Sequence, residues 1–544
     1  MKKRNPVAAW LSVFLLAFPP VLLSCAVNPV TGSPEISTMS LEEEVEIGEQ
    51  AFRGLQQQIG FSGSEDLTAY VQSIGARLAD KSPRQDVTYT FNILNLEEPN
   101  ALAYPGGYIY VSRGLLYLVN SEDELANVLG HEVGHVAAKH ASSSSWRRTS
   151  VGILSGIGTL AGMILAGGLG AVGADLLTSV AGGSALSAHS RGQERQADEV
   201  GQTLAHDAGW EPGAMSEFLR SLGRDDTLRN KEVYKGSFLD THPLTEERVT
   251  DTAAFASQLG TVPRPSDAAS REEFLQRLVG LHIGQDPAAG VFEEDNTFLH
   301  GDLNFRVRFP DGWASRNAPS FVGAGETDGS VNITLELQGA TDPKLSGADA
   351  GRRAYLDYFR QEKEREIAAK EAGERYNAPD IRQQKAGPRR LTDTRTGFGL
   401  EGRIQRGAGT VSMYWIPIGD KMFRLTCLMA TQLRSQYIPE CRRTARSLRR
   451  MKKSEVRRLE STTLQIERAR AGEYLEDFNA RVGNVWSVEQ TATANGLELP
   501  YELTEGQLLK YARKEPYRPT VQQPEANENE VDGEDGPDVE EDGA

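Results

Sequence analysis

Ser121-Glu122-Asp123-Glu124, separated by six residues from His131-Glu132-Val133-Gly134-His135, is the stretch that decides how this chain folds and what it can do. Serine at an N-cap with glutamate three residues on is a capping box, so a helix is predicted from Glu122 to Ala138. A spacing of four places His131 and His135 on one helical face, one turn apart. Two imidazoles so placed can bind one zinc ion, and Glu132, the next residue along, can reach a water at the metal. Alone, the motif is only moderately specific and leaves a third ligand to be found.

A second stretch, from Ser190 to Asp198, reads as the start of another helix ending near Gly209. Glu194 can complete a His₂Glu ligand set. Asp198, one turn later on the same face, can hydrogen-bond the far nitrogen of a ligating histidine and fix its tautomer. Either acid taken singly would read as a solvated helix face; the pairing with His131 and His135 reverses that reading.

The rest of the 544 residues frames these two helices. At roughly 100–200 residues per domain the length corresponds to about three domains. With 39% apolar and 25% charged residues the chain is near the globular average, which excludes a collagen-like or wholly disordered protein. Fifty-nine Lys and Arg against 76 Asp and Glu leave a net charge of −17, so nucleic acid is not an expected partner. Ten of the carboxylates fall between Pro524 and Ala544 without a basic residue among them. Such a tail cannot bury enough apolar area to offset chain entropy and is expected to be disordered.

At the other end, Lys2, Lys3 and Arg4 precede an apolar run from Val7 to Leu23 broken by Pro19-Pro20, the pattern of an export signal rather than a span. The run closes in Leu22-Leu23-Ser24-Cys25, which resembles a bacterial lipobox. Residues 1–24 would then be removed and Cys25 acylated, giving a membrane anchor. Ala26 after that cysteine implies, by lipoprotein sorting rules, the outer membrane on its periplasmic side. Cys427 and Cys441 would share that oxidising compartment, 14 positions apart; one disulfide and two buried thiols are equally open.

No period of 20–50 residues recurs, so a repeat array is excluded. The fold class is read as α+β in blocks. Residues 25–290 form a mainly helical zincin-like peptidase domain with a small sheet, its clearest strand being Tyr108 to Val111 after Pro105-Gly106-Gly107. Residues 291–450 alternate in the manner of strands, around a helical stretch from Arg353 to Ala368, and form an α+β accessory domain. Nine Arg and Lys between Arg442 and Arg458 are expected to end its last helix and continue as a linker, a solvated face or a contact for anionic headgroups. Residues 451–515 hold that linker and a small module whose order, Gly472-Glu473-Tyr474-Leu475, Ala494-Asn495-Gly496-Leu497 and Gly506 to Lys510, resembles a LysM glycan-binding unit and would add peptidoglycan as a partner. A generic βααβ packing unit fits that order as well, and residues 516–544 are the acidic tail. From Val151 to Ala174 there are 24 uncharged residues, long enough for a membrane span, but eight are Gly, which favours tightly packed small-residue helices or a flap.

His131-Glu132-x-x-His135, Glu194-x-x-x-Asp198, the upstream Asn100-Ala101 with Pro105-Gly106-Gly107-Tyr108-Ile109 and the downstream Thr241-His242-Pro243 with Glu247-Arg248 together resemble the gluzincin metallopeptidases related to the CAAX prenyl protease and to the periplasmic protease that assists β-barrel assembly. The resemblance covers roughly residues 36–260. It implies one zinc held by His131, His135 and Glu194, with Glu132 catalytic and His242 near the metal, either capping it as a fourth ligand or stabilising the oxyanion. No tetratricopeptide region is apparent, so that relative's partner and substrates do not carry over.

The expected chemistry is metal-assisted peptide hydrolysis. Zinc brings a water's pKa towards about 7, and Glu132 takes its proton and passes it to the leaving amine. Gly107, Tyr108, Ile109 and Tyr110 are read as an edge strand that pairs with unfolded or strand-like protein substrates, with ordinary strand packing as the alternative. His140, five after His135, points about 140° away along a continued helix and is read as structural; His189, His206, His282 and His300 receive no role. The resulting reading is an outer-membrane-anchored zinc endopeptidase that removes misfolded or stalled envelope proteins. Two competitors stand beside it: a membrane-embedded protease using 151–174 as a span, and a non-catalytic lipoprotein chaperone or scaffold with a closed zinc site.

Overall fold

The computed structural model describes residues 25–32, 34–36, 39–140, 189–229, 238–371, 381–391, 396–404 and 409–519. The expected signal in residues 1–24, the glycine-rich stretch 151–174 and the acidic residues 520–544 lie outside them. Among the described residues no helix is long and apolar enough to cross a membrane.

Two short antiparallel strands open the chain, β1 (Cys25–Val27) and β2 (Pro34–Ile36), with Cys25 opposite Ile36. Helices α1 (Leu41–Gln58) and α2 (Glu65–Ala79) follow, each capped by a serine, Ser40 and Ser64, and each with acids in its first turn. A three-stranded sheet packs beside them: β3 (Thr90–Leu94), β4 (Ala101–Tyr104) and β5 (Tyr108–Ser112). The turn into β5 needs glycine. Gly107 has φ of +95°, and a Cβ there would sit 2.5 Å from the Thr88 carbonyl oxygen.

The strand order is β3-β5-β4, with β5 parallel to β3 and antiparallel to β4. This corrects the sequence-based expectation of an edge at Gly107 to Ser112. The backbone of Tyr108, Ile109 and Tyr110 is already paired on both sides, and Ile109 and Tyr110 are fully buried because helices cover the sheet. An edge of this sheet belongs to β4 instead.

Helices α3 (Glu122–Ala137) and α4 (Arg191–Asp207) carry the two motifs. Ser121 Oγ accepts from the Glu124 amide at 3.1 Å, as predicted, but the Glu124 carboxylate accepts from the Asn120 amide at 2.9 Å, so the box is only half made. Every residue of α3 is buried. The two helices cross at near backbone contact, because Gly130 and Gly201 face one another. A Cβ on Gly201 would lie 2.5 Å from the His131 amide nitrogen, and one on Gly130 2.7 Å from the Gly201 carbonyl. That approach brings side chains of both helices within ligand distance. Helices α5 (Ala214–Arg229), α6 (Glu246–Leu259) and α7 (Arg271–Arg277) close the unit around a core that includes Leu125, Leu129, Val133, Trp210 and Phe218.

The accessory region begins with β6 (Val291–Phe292), β7 (Thr297–His300) and β8 (Phe305–Arg308). Its main sheet runs through β9 (Ala314–Ala318), β10 (Phe321–Gly325), β11 (Val331–Ala340), β12 (Ile381–Arg390), β13 (Thr396–Ile404), β14 (Gly409–Ile418) and β15 (Lys421–Ala430), antiparallel throughout, in the order β12-β13-β14-β15-β11-β10-β9. The long helix α8 (Gly347–Glu371), between β11 and β12 in the chain, covers one face through Tyr355 and Tyr358 against Trp415. On the other, α9 (Arg434–Ser447) packs through Ile438 and Ala445, and Cys441 is disulfide-bonded to Cys427 of β15 across a Cα–Cα distance of 6.1 Å.

The basic run after Arg442 is not a linker. It finishes α9, pairs β16 (Arg449–Arg450) with β8, and forms α10 (Lys453–Arg458). Arginines of the run are held by carboxylates: Arg442 by Glu401 at 3.3 Å, Arg449 by Glu455 at 2.8 Å and Arg458 by Glu293 at 3.2 Å. The last unit starts earlier than predicted. Strands β17 (Glu460–Arg468) and β18 (Leu508–Pro516) pair antiparallel around α11 (Leu475–Val482) and α12 (Val488–Ala494), a βααβ arrangement.

Candidate metal centre

His131 and His135 project from α3 with their Nε2 atoms 2.9 Å apart. Across the helix crossing, Glu194 brings Oε1 to 3.3 Å from His135 Nε2 and Oε2 to 3.6 Å from His131 Nε2. His242, at the end of the helical turn Phe238–Thr241, places Nδ1 3.3 Å from His131 Nε2 and 3.1 Å from Glu194 Oε1. A tetrahedron of ligands at about 2.0–2.1 Å from zinc has edges of about 3.3 Å. The four donors, all buried, are therefore spaced as zinc ligands are, and they come from three separate segments.

The donor chemistry fits as well. Burial and the neighbouring His189 imidazole hold His135 well below the ordinary histidine range, leaving it neutral, the form that ligates metal. Burial alone would raise Glu194, yet the His242 charge and hydrogen bonds from His135 and His242 outweigh it and keep the carboxyl ionised. Glu132 is different: both oxygens are buried without a hydrogen-bond partner, and burial, opposed by His242 and His131, raises its pKa. A carboxylate left in that state is suited to accept a proton.

Asp198 Oδ1 lies 2.8 Å from His131 Nδ1, as the one-turn spacing predicted. The structure adds Arg248 of α6. Its guanidinium grips Asp198 through Nε at 2.6 Å and Nη2 at 2.8 Å, and reaches Glu194 Oε2 through Nη1 at 2.9 Å. Arg248 is buried and orients two acids at once. In the sequence Arg248 shows no task of its own, and its only signal is the six-residue spacing from His242.

Two histidines also change status. His140 was expected to point away, but α3 stops at Ala137 and Lys139 takes φ of +55°, which turns the chain back. His140 Nδ1 thus lies 2.9 Å from His135 Nδ1, and its Nε2 meets Gln196 Oε1 at 2.9 Å. His135 is therefore steadied by an imidazole where His131 is steadied by a carboxylate. His189, given no role from sequence, lies tilted against His135 with 4.1 Å between ring centroids. His206 pairs only locally with Asp207, and His300 packs on Phe305 in the accessory region. Ala103, Tyr104 and Pro105 line a small pocket with His135 and His189, and the predicted Gly107 to Tyr110 segment does not line it.

Residues 65–255 match the profile of peptidase family M48. The matched segment contains the cluster of His131, His135, Glu194 and His242, for which that family implies zinc. The chain is 26% identical over 319 residues to the beta-barrel assembly-enhancing protease of Escherichia coli K12, covering 58% of this chain and 61% of that protein. The Yersinia pestis protein of the same name is 27% identical over 259 residues, 47% of this chain and 52% of its own. The mitochondrial metalloendopeptidase OMA1 of Schizosaccharomyces pombe is 24% identical over 224 residues, 41% of this chain and 63% of its own. The chain thus spans about half to three-fifths of the length of these curated relatives.

Proposed function

We propose that this protein is a zinc-dependent endopeptidase of the bacterial envelope that cuts misfolded or stalled proteins in extended conformation. One observation carries the reading: Glu132, with both oxygens buried and without a hydrogen bond, stands beside four converging metal donors, its Oε1 3.7 Å from His242 Nε2. When bound, zinc supplies a Lewis acid that lowers the pKa of a water towards about 7 and polarises a peptide carbonyl. Glu132 takes the proton of the attacking water and delivers it to the amine as the C–N bond breaks. Glu194 and Asp198, aligned by Arg248, hold the imidazoles in their ligating orientation. The β4 edge, beside His135, is the place for an extended substrate to pair through its backbone, which favours unfolded clients over particular sequences.

The envelope assignment draws on the export signal and Cys25, on the Cys427–Cys441 disulfide and on the name of the barrel-assembly relatives. The lipid anchor holds the enzyme at the outer membrane facing the periplasm; tritiated palmitate incorporation lost in Cys25→Ala tests it. Contact of the βααβ unit with peptidoglycan has support in the exposure of Tyr474 and Leu499 beside its loops, and sedimentation with insoluble sacculi tests it.

A second reading has its own observation. His242 Nδ1 completes a four-donor set, and a zinc closed by four protein ligands is structural or latent. Three proteins decide between them. Glu132→Gln is expected to retain one zinc and cleave no casein; equal cleavage by this variant defeats the assignment of the base. His242→Ala cleaving faster than the parent makes His242 a latch, whereas loss of cleavage makes it an oxyanion donor.

A further inference from the structure

His189 is an imidazole at the centre of this neighbourhood that the steps above leave without a task. It directly precedes Ser190, the N-cap of α4, and so is fixed to the helix that carries Glu194. Its ring lies 4.1 Å from that of His135 and 5.3 Å from that of His242. It also lines the pocket formed with Ala103, Tyr104 and Pro105 at the end of the β4 edge. Neither of its ring nitrogens has a hydrogen-bond partner among the described residues. The other histidines of the cluster all do: His131, His135 and His242 face one another and Glu194, and His140 bridges His135 and Gln196.

We propose that His189 is a catalytic residue that donates a hydrogen bond to the scissile carbonyl oxygen as negative charge develops on it. The assignment rests on the peptidase reading and names a further group that touches the substrate. An imidazole carries at least one N–H in either protonation state, so the donor is always present. A substrate strand paired along β4 would pass the pocket that His189 lines with His135, Ala103, Tyr104 and Pro105. A half-buried donor with no competing partner costs no reorganisation when the oxyanion forms, and one such donor is worth about 10²–10³ in rate. The balance of the reaction is unchanged. Water oxygen bonds to the carbonyl carbon, the C–N bond breaks, Glu132 carries the proton to the amine, and His189 keeps its own proton throughout.

This assignment also divides the labour around His242. With the oxyanion served by His189, His242 is left to close the fourth metal position. The trio His135, His140 and His189 has nitrogens within 4.8 Å of one another and would suit a second metal ion instead. That alternative would require both nitrogens of His135 to ligate at once, one to each metal, as a deprotonated bridging imidazolate.

The test uses the full chain, with His189→Ala and His189→Asn made in the parent and in the His242→Ala background. Zinc content, kcat and KM for a quenched fluorescent peptide, and calorimetric affinity for a phosphinic peptide mimicking the tetrahedral state are measured. His189→Ala is expected to keep one zinc and nearly the parental KM, while kcat falls about 10²–10³-fold and phosphinic affinity falls in parallel. His189→Asn, which retains an N–H, is expected to recover part of both. Unchanged kcat overturns the assignment, as does a kcat loss that leaves phosphinic affinity intact. Two zinc ions in the parent and one in His189→Ala overturn it by making His189 a ligand. Reduced zinc uptake in both variants overturns it by making His189 a support for His135. A parent and His242→Ala that bind zinc yet cleave nothing overturn the peptidase reading, and this assignment with it.

Discussion

The accessory sheet and the terminal βααβ unit both follow the metallopeptidase helices in the chain, yet they relate to them in opposite ways. The accessory sheet builds cores of its own, one around Val331, Ile333, Phe423 and Leu425 and another around Leu400, Met413 and Trp415. The βααβ unit instead contributes Leu464, Ala494 and Leu508 to the core that surrounds α3. Strand β18 shows how. Leu509 and Tyr511 face the unit's own helices, while Leu508 and Lys510 point the other way, as a period of two requires. Lys510 is fully buried, and its ammonium donates to the carbonyls of Tyr117 and Val119, just before the N-terminus of α3. Distance along the chain therefore does not separate domains here. The last strand finishes the core around α3, whereas the intervening sheet keeps cores of its own and meets α1 through polar contacts such as Arg316 to Gln58.

Ending the chain after residue 459 is the harshest way to break this comparison. Without β17 and β18 the core around α3 loses Leu464, Ala494 and Leu508, and the truncated protein is expected to take up no zinc and to lose the melting transition of that core while keeping the one of the accessory sheet. A fragment that binds one zinc and melts like the parent would make the βααβ unit a mere appendage. Trp415→Ala, deep in the accessory core, is expected to cost about 3–5 kcal/mol there while zinc content stays at one per chain. Loss of zinc in that variant would join the two cores after all. Lys510→Met strips two buried carbonyls of their donor and is expected to cost about 1–3 kcal/mol, read as a lower melting temperature of the zinc-loaded protein. A variant melting at or above the parental temperature would show that the seam is held by its apolar contacts alone.

Much of the site was legible because its signals are local. The cap at Ser121 and the His131/His135 spacing predict α3, and Glu194 with Asp198 share a face of α4 by the same geometry. What failed depended on partners far away in sequence. An apolar run such as Tyr108 to Val111 reads the same at the edge or in the middle of a sheet, and only β3 on its far side decides. His140 turned on where α3 ends, which Lys139 in a left-handed conformation determines. Strand β17 begins Glu460-Ser461-Thr462-Thr463 after a basic run, so it was absorbed into a linker; its pairing with β18 crosses forty residues. Arg248 offers only its spacing from His242 and His189 only its place before Ser190, and the assembled fold gives both their neighbours.

Acid should act on the two regions with opposite sign, and this is the smallest and sharpest of the expected effects. In the accessory sheet, burial would raise Glu401, but hydrogen bonds from Arg434 at 2.9 Å and Arg442 at 3.3 Å outweigh it and hold the carboxyl below its usual range. A depressed folded pKa gives stability that is complete above the unfolded value of about 4.3 and is lost as pH falls through the folded one. Both arginines are about half exposed, so the effect should stay below about 1 kcal/mol. Next to α3, Glu124 behaves in reverse: burial, opposed by the Asn120 amide and Lys510, lifts it to about 7. A raised folded pKa gives stability that is complete below about 4.3 and is lost as pH rises through about 7. Melting temperatures of Glu401→Gln and Glu124→Gln relative to the parent should therefore diverge with pH. The deficit of Glu401→Gln at pH 6 should shrink as pH falls below about 4.3, while Glu124→Gln should gain on the parent as pH rises from about 4.3 to about 7 and level off above it. Parallel curves would mean that the seam and the sheet titrate as one body, and that their separate cores do not make them separate units.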